Sequence, residues 1–470
     1  MNSTPQNPTF EEVVALTATH DQSHLLAHWN KLDEPARKSL VAQIGGIDFE
    51  LIGKLFSKQD DGEQWEQLAA RAEVPPAVTT ADFNDPDSYE RAYGIGADAL
   101  RNGEVAMILT AGGQGSRLGF EHPKGMFPIG PVSDRTLFEM FFQHVMARAA
   151  QFDSKIPLLI MTSPPVHEET LGFLEGCDYY GMARDDVRVF CQGTMPAVDF
   201  DGKLILGSEG ELFESPDGHG GMLAALDGSG CLSEMDKRGV KHIFYAQIDN
   251  PLVQVCNPAL IGYHIDRGSE MTSQVVRKSD PLQKVGNVVS IDGKVQIIEY
   301  SDLPEEHARQ TNDDGSLKLW AGSIAVHVFD IEFLKRSAAS DESLPFHRAR
   351  KKVPCVDASG NQIKPDEPNA IKFERFIFDL LPHAANAIVC EVEASEGFCA
   401  VKNAPPAPSE TPEHVKAAIS ALHSKWLREA GARVEDGAVI EISPFYAVEP
   451  SEVASRLEAG QSFSGSVYLK

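Results

Sequence analysis

The sequence predicts an α/β protein: a mostly parallel sheet covered by helices, preceded by a helical segment and followed by a small mixed one. Two observations carry that prediction. Short apolar runs of strand length, beginning with VAMILT at 105–110, alternate with helix-length amphipathic stretches. Strands reached through helices pair in parallel and are buried on both faces. The second observation is a glycine run at 112–119 that follows VAMILT directly, the position where an α/β sheet receives its ligand.

The elements follow in order. Residues 1–103 repeat apolar residues every three or four positions, as in FEEVVALTATH and LLAHWNKL, and predict an N-terminal helical extension. VAMILT opens a central domain expected over 104–402. SDRTLFEMFFQHVMARAA then places Leu137, Phe138, Phe141, Phe142, Val145 and Met146 on one helical face, with Ser133 or Asp134 as N-cap. PLLIMTS (157–163), VRVFCQG (187–193) and HIFYAQIDN (242–250) are further buried strands, the last ending in Asp249. VGNVVSIDGKVQIIEY (285–300) sets two β-rich runs around Asp292-Gly293, a hairpin signal. IKFERFIFDLL (371–381) reads as a helix. The proline-dense stretch 403–414 leads to a helix with Thr411 as N-cap, Pro412 in its first turn and Gly431 past its end. Residues 403–470 form a small C-terminal domain.

Length and charge narrow the function. A chain of 470 residues exceeds one compact core. Its 69 acidic against 42 basic residues leave a net charge of −27, which repels nucleic acid, whose binding depends on Lys and Arg neutralising phosphates. A small anion must therefore bind at a local cationic spot. No eighteen-residue apolar run argues for a membrane span, and the first residues resemble no secretory signal. Seven cysteines without a CxxC pair predict reduced thiols in a cytoplasmic protein with no zinc site.

The spot is MILTAGGQGSRLGFEHPKGMFPIG, 107–130. A dinucleotide fingerprint fails, because counting G-x-G-x-x-G from Gly113 puts Leu118 in the third glycine's place. A P-loop fails, because no Gly-Lys-Ser/Thr occurs. The pattern fits a nucleotidyltransferase loop, G-G-x-G-[ST]-R-[LM]-G followed by Pro-Lys. Its glycines let backbone N–H groups approach a triphosphate, while Arg117 and Lys124 neutralise the phosphates that leave.

This loop resembles that of the eukaryotic-type UDP-sugar pyrophosphorylases, most closely the UDP-N-acetylhexosamine group. The likeness continues through IMTSPP (160–165), FCQGTMPAVDFDGKLIL (190–206), SPDGHGGMLAAL (215–226), QIDNPLV (247–253), VQIIEYSDLP (295–304), WAGSIAVHVF (320–329), IKPDEPNAIKFERFIFDLL (363–381) and AVKNA (400–404). It covers roughly residues 90–405 and thins beyond them. The resemblance implies a Rossmann-like, GT-A-like nucleotidyltransferase fold and a Mg²⁺ (or Mn²⁺) cofactor. It implies UTP and a sugar 1-phosphate as substrates, joined into UDP-sugar and pyrophosphate.

By that resemblance, Leu109, Thr110, Ala111, Gly112, Gly113 and Lys124 belong to the UTP site. Gln192 reads the uracil edge, with a donor and an acceptor in one amide, and Gly218 lies in the nucleotide-contacting turn. Asp249 resembles the metal-holding aspartate, Lys372 the lysine on the α-phosphate and Lys402 the one on the sugar phosphate. Arg117, Lys124, Asp249 and Lys372 form the expected catalytic set. Glu299 and Tyr300, on the hairpin's second strand, match the sugar-hydroxyl pair.

Two sugar positions depart from the N-acetylhexosamine pattern: His219 and Ser323 stand where asparagines are usual. Overall similarity implies N-acetylglucosamine 1-phosphate. The two changes leave glucose or galactose 1-phosphate open. A non-catalytic nucleotide-sugar-binding protein is disfavoured by the joint presence of Arg117, Lys124, Asp249 and Lys372.

Overall fold

A computed structural model describes residues 8–57, 62–340, 344–458 and 460–470. They fall into two compact units, each assembled from discontinuous segments. The larger takes 62–192, 223–343 and 378–470; the smaller takes the described residues of 1–61, 193–222 and 344–377. Linear order predicts three consecutive pieces, and the units cut across it. The reason is apolar pairing. Val13, Leu25, Leu40 and Ile44 of the first helices share a core with Val198, Leu204 and Phe373 in the smaller unit. Val415, Ile419, Leu427, Ile440 and Phe463 of the C-terminal segment share a core with Met107, Leu109 and Phe244 in the larger.

The larger unit is built on a ten-stranded sheet. Its strands are β1 (Ala77–Val78), β2 (Val105–Thr110), β3 (Leu158–Thr162), β4 (Val187–Cys191) and β5 (His242–Gln247). The rest are β6 (Met271–Arg277), β7 (Asn287–Ile291), β8 (Lys294–Ile298), β9 (Ala321–Asp330) and β10 (Ala387–Glu391). The main path runs β1-β10-β6-β9-β5-β2-β3-β4. All neighbours are parallel except β9, which is antiparallel to β5 and β6. The apolar runs predicted as strands are buried along their whole lengths in β2 and β3, because helices cover both sheet faces. From β2 the chain winds outward through β3 to β4, then returns to place β5 on the other side of β2. That reversal opens a crevice at the carboxyl ends of β2 and β5, where Thr110 pairs with Gln247.

The hairpin β7–β8 forms as expected, with Asp292 and Gly293 at φ 52° and 79° in its turn and Asn287 pairing with Gly322 of β9. The C-terminal helix Pro412–Glu429 is capped by Thr411, and Gly431 follows it in the left-handed region.

Three local expectations are corrected. The helix Leu137–Gln151 is capped by Thr136, whose hydroxyl accepts from the Glu139 N–H; Ser133 instead donates to Glu441 at 2.6 Å, and Asp134 sits at φ 54°. LLAHWNKL makes two 3₁₀ turns, Ser23–Leu26 and Trp29–Lys31. Residues 371–381 are not one helix: Ala370–Arg375 is a strand paired antiparallel with Phe346–Lys351, followed by a 3₁₀ segment Ile377–His383. Ile371 and Phe373 are buried while Lys372 and Glu374 are less so. That two-residue alternation belongs to a strand. No helix among the described residues is long and apolar enough to cross a membrane.

Candidate functional site

The crevice edge of the larger unit is shaped first by backbone. Ala111 prolongs the β2–β3 ladder through its N–H to the Met161 carbonyl at 2.7 Å. Beyond it the chain closes on itself: Gly115 N–H reaches the His122 carbonyl at 2.9 Å, and Lys124 N–H reaches the Gly113 carbonyl at 3.0 Å. Gly115 is required there, since a Cβ would stand 2.7 Å from the Phe120 carbonyl oxygen. Ser163, at the end of β3, donates its hydroxyl to the Gly112 carbonyl at 2.5 Å. Gln192 prolongs β4 by an N–H to the Thr162 carbonyl at 2.9 Å, with its side chain largely buried. Successive strand ends thus present Gly112, Ser163 and Gln192 along one edge. Leu109 and Thr110 are buried beneath them, Leu109 with its side chain in the core.

The edge carries paired charge. Asp249 lies two residues past β5, and its carboxylate stands 3.8 Å from the Lys124 ammonium, each side chain 16% exposed. Lys124 Nζ also reaches the Val401 carbonyl at 3.4 Å, and the Val401 N–H donates to the Asp249 carbonyl at 2.8 Å. Asn250, almost fully buried, anchors the same returning segment, donating to the Gly397 carbonyl at 2.9 Å and accepting from the Cys399 N–H at 3.0 Å. The Ala404 N–H bonds the Arg117 carbonyl at 2.9 Å, tying residues 397–404 to the loop while the Arg117 side chain remains exposed. Lys402 is half engaged, 3.0 Å from Glu410.

A second cluster of the larger unit gathers Glu299 and Ser323 around Gly286. The Ser323 N–H donates to the Gly286 carbonyl at 2.8 Å, and a Cβ on Gly286 would stand 3.1 Å from a Glu299 carboxylate oxygen. Glu299 and Tyr300 lie just past β8 rather than on it, and Tyr300 is 48% exposed. Beneath them Lys278, buried, donates to Asn287 Oδ1 at 2.5 Å, and Asn287 donates on to the Ile298 carbonyl at 3.2 Å. Burial pushes the Lys278 ammonium down to about 8, against the nearby Asp280.

The remaining expected residues belong to the smaller unit. Gly218 has φ 86°, and a Cβ would meet the Arg375 carbonyl oxygen at 2.4 Å. Asp217 pairs with Arg375 and holds this turn from below. His219 accepts the Ile377 N–H on Nδ1 at 3.2 Å and stacks on Phe376 at 5.3 Å. Burial, then His347, pushes its imidazole down to about 4, so the ring is neutral with its proton on Nε2. Lys372 sits over the Phe213 ring at 5.0 Å, its ammonium lowered by burial.

The fold therefore gathers residues 109–113, Arg117, Lys124, Gln192 and Asp249 along one crevice edge, and Glu299 with Ser323 in one cluster. Gly218, His219 and Lys372 belong to the other unit. Sequence reasoning missed Ser163, Asn250, Lys278, Asn287, Asp217 and Arg375. Ser163, Asp217, Asn250 and Arg375 lie inside the quoted motifs, which could have flagged them; Lys278 acts by burial beside Asn287, nine residues on, and burial is not readable from residue order.

Comparison with known proteins places this geometry. The model of the UTP–glucose-1-phosphate uridylyltransferase family matches residues 64–407. The UDP-N-acetylglucosamine pyrophosphorylase of Saccharomyces cerevisiae is 34% identical over 446 residues, covering 90% of this chain and 92% of that protein. The UDP-N-acetylhexosamine pyrophosphorylase-like protein 1 of Homo sapiens is 34% identical over 441 residues, covering 91% and 87%. In three dimensions, the uridine diphosphate N-acetylglucosamine pyrophosphorylase of Trypanosoma brucei superposes with a TM-score of 0.82 at 24% identity, covering 99% of each chain, a likeness of fold.

Proposed function

The chain belongs to the UTP–glucose-1-phosphate uridylyltransferase family, and on that premise we propose that it makes UDP-N-acetylglucosamine and pyrophosphate from UTP and N-acetylglucosamine 1-phosphate. The names of relatives matched along nearly their whole length support the reaction and the sugar. The observation that carries it is the meeting of Lys124 and Asp249 beside a glycine loop at the sheet's crevice.

An oxygen of the sugar phosphate attacks the α-phosphorus of UTP. The bond from that phosphorus to the bridging oxygen breaks, and pyrophosphate leaves with the electron pair. Such a displacement needs positioning and charge neutralisation, with no protein nucleophile. In this reading Gly112 and Gly113 offer backbone N–H groups to the phosphates, and Lys124 and Arg117 neutralise the departing pair. Lys372 takes the α-phosphate and Lys402 the sugar phosphate. Gln192 reads uracil, with Gly218 leaving room for the base, while His219, Glu299, Tyr300 and Ser323 contact the sugar.

Asp249 suits a hard divalent cation. It offers oxygen donors, and its carboxylate accepts no hydrogen bond among the described residues. Mg²⁺ (or Mn²⁺) held there would supply positive charge to the phosphates. Seven free thiols support a reducing, cytoplasmic location. A plain hexose 1-phosphate is the second reading, favoured by imidazole at 219 and hydroxyl at 323.

Pyrophosphate release from UTP and Mg²⁺ tests both, with N-acetylglucosamine, N-acetylgalactosamine, glucose and galactose 1-phosphates supplied in turn. The proposal expects the highest kcat/KM for N-acetylglucosamine 1-phosphate. A preference for glucose 1-phosphate selects the second reading, and no release with any sugar overturns the uridylyltransferase assignment.

A further inference from the structure

The larger unit holds a cavity of about 400 Å³ whose lining shares no residue with the phosphate loop. That volume is within the range of small-ligand pockets, roughly 300–1,000 Å³. Its walls combine aromatic rings with carboxylates: Phe83, Tyr89 and Trp426 on one hand, Glu391, Glu393, Glu396 and Glu449 on the other. Its two cations are already committed. Arg148 pairs with Glu449 at 3.2 Å and also donates to the Val255 carbonyl at 3.3 Å. Lys425 pairs with Glu396 and, at 3.7 Å, with Glu429. The cavity therefore has no uncommitted cation for an anionic ligand.

Acceptors are left over. Glu391 is held by Arg277 at 3.0 Å and by the Thr80 N–H at 3.2 Å, but Glu393 pairs with no cation among the described residues. Gln274 lines the cavity at 3% exposure, and its side-chain amide forms no hydrogen bond among the described residues. That amide lines the cavity, where a ligand or water can supply its partner. Ring faces attract cations, and a surplus carboxylate adds to that attraction.

We propose that this cavity binds a small organic cation of the aliphatic amine class, with its ammonium groups on Glu393 and the Gln274 carbonyl and its methylenes against Tyr89 and Trp426. Calorimetry on the full chain with spermidine as probe tests this. The expectation is one saturable site with Kd on the order of 0.1–1 mM at low salt, weakened by added salt. Glu393→Gln should weaken it about fivefold, and Tyr89→Leu, which removes a partly exposed ring, by about threefold or more. Both variants should keep the melting temperature and the pyrophosphate-release rate. Absence of a saturable heat, affinity in both variants unchanged from the parent chain, or equally tight binding of neutral N-acetylglucosamine would each overturn the proposal.

Discussion

The glycine loop and the Gly286 cluster are both organised around close backbone approach, yet they are held by different means. The loop is closed by its own backbone: Gly115 to His122, Lys124 to Gly113, Ala111 into the sheet. Its charged side chains are left over from that closure and stand at the surface of the crevice. The Gly286 cluster is held by side chains, because Lys278 and Asn287 bond one another beneath it and Asn287 bonds the neighbouring strand. In the first region chemistry separates from stability; in the second the two are coupled.

The largest effect should come from Lys124→Ala or Asp249→Ala. Turnover should fall by about 10²–10³, as when one preorganised charge-stabilising group is removed. Stability should stay within about 1 kcal/mol, since the loop's bonds are backbone bonds. Pyrophosphate-release kinetics and a urea melt measure the two sides, and a variant that unfolds would erase the distinction drawn between the regions.

Lys278→Met should behave oppositely. Stranding the buried Asn287 carbonyl costs about 1–3 kcal/mol, read as a lowered urea midpoint. KM for the sugar phosphate should rise while KM for UTP holds. Unchanged stability would show that Asn287 is satisfied without the lysine.

Acid offers a third handle, since the loop's backbone bonds do not titrate and buried histidines do. His264 bonds Thr272 at 2.9 Å, and His423 accepts the Ile442 N–H at 3.1 Å. Burial pushes them down to about 3 and about 4, from 6.5. Above 6.5 neither state binds the proton. Below it the unfolded chain does and the folded chain does not, so stability falls with pH, by up to about 1.4 kcal/mol per unit for each histidine. The loss should begin near 6.5 and end near the folded values. Urea midpoints between pH 7 and 5 test this, and a flat profile would mean both rings accept protons while folded.

The smallest effect concerns the sugar. His219→Asn should move the ratio of kcat/KM for N-acetylated over plain hexose phosphate by about tenfold or less. No change in that ratio would remove His219 from the sugar contacts.

Much of the crevice edge was legible from residue order, because its signals are local. VAMILT, the glycine spacing and the carboxylate after HIFYAQ lie within single strand–loop segments, and backbone rules translate such segments directly. The misreadings came where partners are distant. IKFERF carries aromatic and charged residues compatible with a helix, and only pairing with Phe346–Lys351 makes it a strand. Ser133 looks like a cap until Glu441, far along the chain, takes its hydroxyl.

From the chain alone came the alternation of strands and helices, the glycine loop and the hairpin turn, all set by periodicity and by which residues tolerate tight backbone. Tertiary structure decided the rest. It divided the chain into units that ignore linear order, drew Lys124 to Asp249 through the β2–β5 pairing, and placed Lys278 under the Gly286 cluster. The physical reason is that burial and charge pairing are properties of space, and residues separated in the chain, such as Lys124 and Asp249, supply them.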